Sequence, residues 1–325
     1  MKRTPQFAPP PWLRNAHLQT ILNSQGPRRL RARRALRRLA PQELILRAAD
    51  GTRLLAELDH ASEERGALVV LLHGWEGSSR SAYMITTAAT LLSAGYDVLR
   101  VNLRDHGNTH HLNRELFNST RSPEVAEALQ TFLDEHRYRH AFLCGFSLGG
   151  SFALRIAADS GQALGLGGAV AVCPPADPAR AMGALNRGWF VYEQYFFKRW
   201  RASLRRKLEC FPELQYGALL AAAKSIDDLN RDFIPRYTPY KQLDEYYAAY
   251  ALTGSRLASL TVPAAIIAAD DDPIIPADDF GRIDAHALLD IELQRFGGHC
   301  GFIENLAARS WIESRIIEIL RRFAR

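Results

Sequence analysis

The sequence is short of several things that would each point to a particular kind of protein. Cysteine is scarce: four in 325 residues, at 144, 173, 210 and 300, with no C-x-x-C pair among them. That scatter speaks against a zinc site or a disulfide framework and fits reduced thiols in a cytoplasm. An uninterrupted apolar run of about 18 residues, the length a membrane-spanning helix needs, is missing. The opening segment MKRTPQFAPPPWLRNAHLQTIL carries charge but sets three consecutive prolines where a secretory signal needs an apolar stretch, so a cytoplasmic location is expected. Internal repeats and low-complexity tracts are absent too. What remains is globular in balance, 47% apolar and 23% charged residues, in a chain long enough to bury a large core.

The formal charge of +6 suggests a polyanionic partner until the arginines are located. Seven of them, at 28, 29, 31, 33, 34, 37 and 38, sit in PRRLRARRALRRL, and taking those seven away leaves −1. The excess is local. With no nucleic-acid-binding motif beside it, nucleic acid is not expected as a partner. The run reads as a solvated arm or helix face, with peripheral contact to an anionic membrane surface as the functional alternative.

Two strand-like pieces, ELILRA near 43 and RLLAEL near 53, flank the turn signal Asp50-Gly51 and form an expected opening hairpin. Apolar runs of strand length then end at 72, 103, 146, 173, 269 and 296, and between most of them lie amphipathic stretches such as SAYMITTAATLLSAG and PEVAEALQTFLDEHR. This alternation predicts an α/β fold: a mostly parallel sheet with helices on both faces. One interval is too long for a simple connection, roughly 90 residues between Cys173 and the strand near 263. Within it Trp189, Tyr192, Phe196, Trp200, Leu204 and Leu208 fall at steps of three and four, an aromatic stripe with a basic opposite side. Such a helix packs on the core, serves as a lid over an entrance for apolar substrates, or does both. The expected layout is an N-terminal segment and hairpin over 1–60, a core over 61–175 and 246–325, and a helical lid insertion over 176–245.

The stretch CGFSLGG, residues 144–150, follows one of the apolar runs and precedes a helical pattern that stops at Gly161. Strand, tight turn and helix in that order push Ser147 out of the sheet, with glycines at 145 and 149 where a side chain would collide. An acyl-transferring serine needs a base, and the base needs a carboxylate to hold its tautomer. Loops at the carboxyl ends of later strands supply both: DDDPIIP, with aspartates at 270, 271 and 272, and GGHCGF, with His299. Negative charge on the reacting carbonyl calls for N–H donors. The residue after the nucleophile, Leu148, is one, and Trp75 in LLHGWEGSS is the expected second. His73 reads as a hydrogen-bonded structural histidine. The histidines at 106, 110 and 111 lack a spaced carboxylate or cysteine set and read as loop residues, with no metal expected.

HGWEGSS, GFSLGG, DDDPIIP and GGHCGF, together with WLRNAHLQTI at 12–21, NLRDHG at 102–107 and DEYYAAYAL at 244–252, give the chain a resemblance to the α/β-hydrolases of the YheT-like branch over most of its length. The resemblance implies an α/β-hydrolase fold with a helical lid and a serine esterase or lipase acting on acyl esters, glycerolipids among them, without metal or organic cofactor. It fits Asp272-Pro273-Ile274-Ile275-Pro276 as the site of the triad acid. Asp271 stays a close second, because one residue's difference in where the strand ends exchanges their directions. The chain departs from the family at Asp105, where relatives commonly carry glycine. His17 and Gln19 have no derivable role at this level. Thioester or amide cleavage, acyl transfer, and a non-catalytic hydrolase-fold binding protein are the competing functions.

Overall fold

The computed structural model describes residues 6–62 and 66–324. The charged opening residues 1–5 lie outside it, as do 63–65 and 325. In chain order the elements are α1 (Ala16–Leu22), α2 (Pro27–Leu36), β1 (Gln42–Arg47), β2 (Arg53–Asp59), β3 (Ala67–Leu72), α3 (Ala82–Ser93), β4 (Asp97–Val101), α4 (Ser122–Glu135), β5 (His140–Phe146), α5 (Leu148–Ser160), β6 (Leu166–Val172), α6 (Pro178–Arg187), α7 (Phe190–Cys210), α8 (Gly217–Ala222), α9 (Ile226–Tyr237), α10 (Leu243–Tyr250), β7 (Ala264–Ala269), β8 (Leu289–Gln294) and α11 (Trp311–Phe323). The strands make one eight-stranded sheet in the order β1-β2-β4-β3-β5-β6-β7-β8. β1 and β2 form the antiparallel hairpin read from Asp50-Gly51, and β2 joins β4 antiparallel. Every other pairing is parallel.

The alternation of β3 explains the layers. Leu68, Val70 and Leu72 face one side, packed with α4, α5 and the inserted helices; Val69 and Leu71 face the other, with α3 and α11. A strand buried on both faces has no room for polar alternation, which is why the central strands read as continuous apolar runs. Arg100 in β4 is the exception. It lies fully buried because Glu57 and Asp59 on β2 meet its guanidinium at 2.8 Å each.

Helices α6–α10 are inserted between β6 and β7. The Leu252 N–H donates to the Ala176 carbonyl at 2.8 Å, so the insertion leaves and rejoins the core at one point. The boundary drawn at 245/246 falls inside α10. Among the described residues no helix is long and apolar enough to cross a membrane.

One expectation about basic residues is corrected. The arginine run is not simply solvated. α2 lies against α3, and its Arg28 is wholly buried, bonded to Glu313 at 3.1 Å and to Thr86, with Arg31 on the other Glu313 oxygen at 2.8 Å. The i, i+4 spacing of Arg28 and Ala32 turns both inward, and a buried carboxylate makes that tolerable for the arginine. On the basic side of α7, Lys207 is buried on Asp105 at 2.8 Å.

Candidate active site

Ser147 stands between β5 and α5 at φ +52, a left-handed backbone rarely seen outside glycine. Its N–H is tied to the Val172 carbonyl at 2.8 Å. The flanking glycines are required by space. A Cβ at 145 would sit 2.0 Å from the Gly149 carbonyl oxygen, and one at 149 would sit 2.3 Å from that of Leu72.

Three distant loops converge on this turn. His299 Nε2 lies 3.0 Å from Ser147 Oγ, and His299 Nδ1 lies 2.8 Å from Asp272 Oδ2. The other Asp272 oxygen accepts the N–H groups of Ile274 and Ile275 at 2.8 and 3.0 Å, which aims the carboxylate. Asp271 points elsewhere, accepting the Gly298 N–H at 2.8 Å. Of the two aspartates, Asp272 is the one that meets the His299 ring, while Asp271 bonds the histidine loop. Burial works against a charged His299 ring, but the Asp272 carboxylate, aided by the Cys300 sulfur, outweighs it and lifts the pKa to about 9.

In the loop after β3, three amides around Trp75 are taken up. The Gly74 N–H donates to Tyr83 Oη (2.9 Å), that of Glu76 to His106 Nε2 (3.1 Å) and that of Gly77 to the Gly74 carbonyl (2.9 Å). Among the described residues neither the Trp75 N–H nor the Leu148 N–H has an acceptor. His73 accepts the Leu103 N–H on Nε2, which leaves Nδ1 to donate to the Gly74 carbonyl at 2.8 Å. Burial, with His106 alongside, pushes its pKa down to about 3, so this neutral tautomer persists. His106 is pinned the same way between Glu76 and the Arg104 carbonyl. His110 bonds Ser203 on α7 at 2.8 Å. These two are buried structural groups, more constrained than loop residues in general, while His111 is exposed.

The departure at Asp105 now has a physical account. Its φ is +61, where glycine is the easy choice and aspartate one of few alternatives. The carboxylate holds Lys207 of α7 on one oxygen and the Phe117 N–H on the other, each at 2.8 Å.

A cavity opens on Ser147 and His299, walled by Met182 and Leu185 of α6, Phe196 and Trp200 of α7, Ile234 of α9 and Tyr250 of α10. The Trp75 ring stacks on Phe196 at 5.1 Å and meets Trp200 edge-on at 5.4 Å. Part of the aromatic stripe thus lines the site, while Tyr192 and Leu204 are buried. Cys173, His299 and Cys300 bring donor atoms within 4.8 Å of one another. Both His299 nitrogens are already engaged, so an ion there would compete with Ser147 or Asp272.

Sequence reasoning missed the residues that seat the histidine loop. Buried Gln19 donates to the Leu13 and Ile303 carbonyls (2.7 and 3.1 Å) and accepts the Ile303 N–H at 2.6 Å. Thr20 Oγ1 accepts the His299 N–H at 2.9 Å. His17 Nδ1 meets Tyr192 Oη at 2.9 Å, beside Trp189. The HLQT motif was the available signal, but its partners lie near the other end of the chain.

The model of the Alpha/beta hydrolase family matches residues 69–308. The chain is 26% identical to the Escherichia coli (strain K12) protein named "Putative esterase YheT", over 96% of this chain and 92% of that one. It is 24% identical to the "Medium-chain fatty acid ethyl ester synthase/esterase 2" of Saccharomyces cerevisiae, over 82% of this chain and 64% of that protein. Among solved structures, the Pyrococcus furiosus esterase Pf2001 superposes with a TM-score of 0.60 at 16% identity, covering 88% of this chain and 92% of the other, a likeness of fold.

Proposed function

The chain belongs to the alpha/beta hydrolase family, and from that premise we propose that it is a serine carboxylic-ester hydrolase working through Ser147, His299 and Asp272 on esters with apolar acyl chains. The observation that carries this reading is the relay of 3.0 Å from Ser147 Oγ to His299 Nε2 and 2.8 Å from Nδ1 to Asp272, set at the foot of an apolar cavity. His299 takes the Ser147 proton as Oγ attacks the carbonyl carbon. The N–H groups of Trp75 and Leu148 hold the oxyanion. His299 then hands its proton to the departing alkoxide, an acyl-enzyme remains, and the same ring activates water to release the acid. The inserted helices act as the lid, and their α6, α7, α9 and α10 side chains form the acyl wall. The name of the yeast relative supports the same substrate class.

Acyl chain length tests the cavity. Across p-nitrophenyl esters, kcat/KM rises from acetate by about fourfold per methylene, the equivalent of ~0.8 kcal/mol of burial, until the cavity is filled. A steady fall from two to twelve carbons would overturn the apolar acyl preference. A thioester or amide turned over faster than every matched ester would overturn the ester assignment.

The pH profile tests the base. His299 must be neutral to accept a proton, and its pKa is raised from 6.5 to about 9. The acid limb of kcat/KM therefore climbs through the alkaline range, above the ordinary histidine value. In Asp272→Asn the charge that raises the pKa is gone and burial dominates, so the limb moves to lower pH while the plateau falls by about 10³–10⁴-fold. A wild-type limb at or below 6.5 would contradict the pairing.

A further inference from the structure

A second, larger cavity shares Trp75, Ser147, Phe196, Ile274 and His299 with the apolar one and extends from the serine to α2 and the start of α7. Two helices, α2 and α7, line it with arginines and exposed apolar side chains side by side. On α2, Arg29, Arg33 and Leu36 fall at i, i+4 and i+7 and line the opening. Facing them on α7, Val191, Tyr195 and Arg199 do the same at i, i+4 and i+8. Leu36 is 39% exposed, Val191 39% and Tyr195 43%, and Ile21 of α1, on the same rim, 41%. Next to Val191, Phe190 is 69% exposed.

Two of the arginines on this rim are available. Among the described residues Arg29 and Arg33 have no carboxylate within salt-bridge distance, and Arg199 donates to the Glu76 main-chain oxygen. Arg80, also at the opening, is taken up by Glu43 and Glu57. Arginines interleaved with exposed apolar side chains are the composition of a surface that settles into the headgroup region of an anionic bilayer. A purely ionic partner would leave the apolar side chains unexplained, and a purely apolar one the arginines. We propose that this rim docks on an anionic lipid bilayer, with the opening to Ser147 facing the membrane so that an acyl chain passes from the lipid to the apolar cavity. This rests on the reading of Ser147 as an esterase nucleophile. It assigns the arginine run a divided role: Arg28 and Arg31 brace the fold against Glu313, while Arg29 and Arg33 meet the lipid.

The test uses the full chain and unilamellar vesicles of equimolar phosphatidylglycerol and phosphatidylcholine, against vesicles of phosphatidylcholine alone. Sedimentation should show binding to the anionic vesicles, weakened by salt, and little to the neutral ones. Arg29→Gln with Arg33→Gln lowers the partition coefficient about 25-fold, on roughly fivefold per basic side chain at an anionic surface. Arg37→Gln with Arg38→Gln, away from the opening, has a smaller effect. Phe190→Ser weakens vesicle binding yet leaves turnover of dissolved p-nitrophenyl butyrate within about twofold. Equal partition into both vesicle types, no partition at all, or a larger loss from the 37/38 pair overturns the docking face. Loss of dissolved-ester turnover in the unmodified chain with vesicle binding intact would instead strike the esterase reading.

Discussion

Ser147→Ala removes ester hydrolysis almost entirely, with kcat on a p-nitrophenyl ester falling by about 10⁴–10⁶-fold while the urea unfolding midpoint stays put. The activity loss follows from the loss of the attacking oxygen; what survives is transition-state binding by the oxyanion donors. The fold is spared because alanine lacks only an oxygen whose partner is the His299 ring at 3.0 Å. Both residues face the same backbone strain at φ +52. If the proposed triad acts as a unit, adding His299→Ala to Ser147→Ala costs little more. A fluorophosphonate gives the matching covalent test: Oγ displaces fluoride and forms a phosphorus–oxygen bond, and the adduct mass maps to residue 147 only in the unmodified chain. Undiminished turnover by Ser147→Ala, or an adduct elsewhere, would remove the proposed nucleophile.

Lys207→Met is the variant expected to hurt stability most. The Lys207 ammonium is buried against Asp105 at 2.8 Å and also bonds the carbonyls of His110 and Asn113. Burial pushes the Asp105 pKa up and the Lys207 pKa down, each opposed by the partner's charge. Removing the cation alone strands a buried carboxylate, a loss of about 3–5 kcal/mol, read as a lower denaturation midpoint in urea. Asp105→Asn combined with Lys207→Met recovers much of it, because asparagine tolerates φ +61 and carries no charge to strand. A double variant no more stable than Lys207→Met would show that the lysine acts by packing alone. Activity responds as well. α7 carries Phe196 and Trp200, which hold the Trp75 ring, so loosening the helix raises KM for long acyl chains more than for acetate.

Local patterns in the sequence carried much of this architecture. Strands β3, β5, β6 and β7 are apolar because both sheet faces are covered, and the hairpin is written in Asp50-Gly51. The chain order of Ser147, the 270–272 aspartates and His299 singled out the residues that the fold brings together. What stayed hidden depends on contacts between remote segments, where periodicity carries no information. Arg28 looked like one more surface arginine until Glu313, 285 residues on, took its charge. Lys207 is one basic residue among several on its helix, and only the turn at Asp105, 102 residues earlier, accounts for its burial. Asp271 and Asp272 differ by one position, and only the path of the backbone after β7 decides which carboxylate faces the imidazole. The loop at 73–77 offered several amides, and pairing of its neighbours is what leaves that of Trp75 free.

The bond from the His299 N–H to Thr20 spans 279 residues, and the Gln19 bonds to Ile303 span 284. On a translating ribosome, at ~5–20 residues per second, those partners emerge tens of seconds apart. For that interval α1 lacks the Thr20 and Gln19 partners that hold it to the histidine loop, and the nascent polypeptide already displays Ser147 without the imidazole that meets it at 3.0 Å. The proposed triad therefore assembles only after the loop at 297–303 has been made and received by α1.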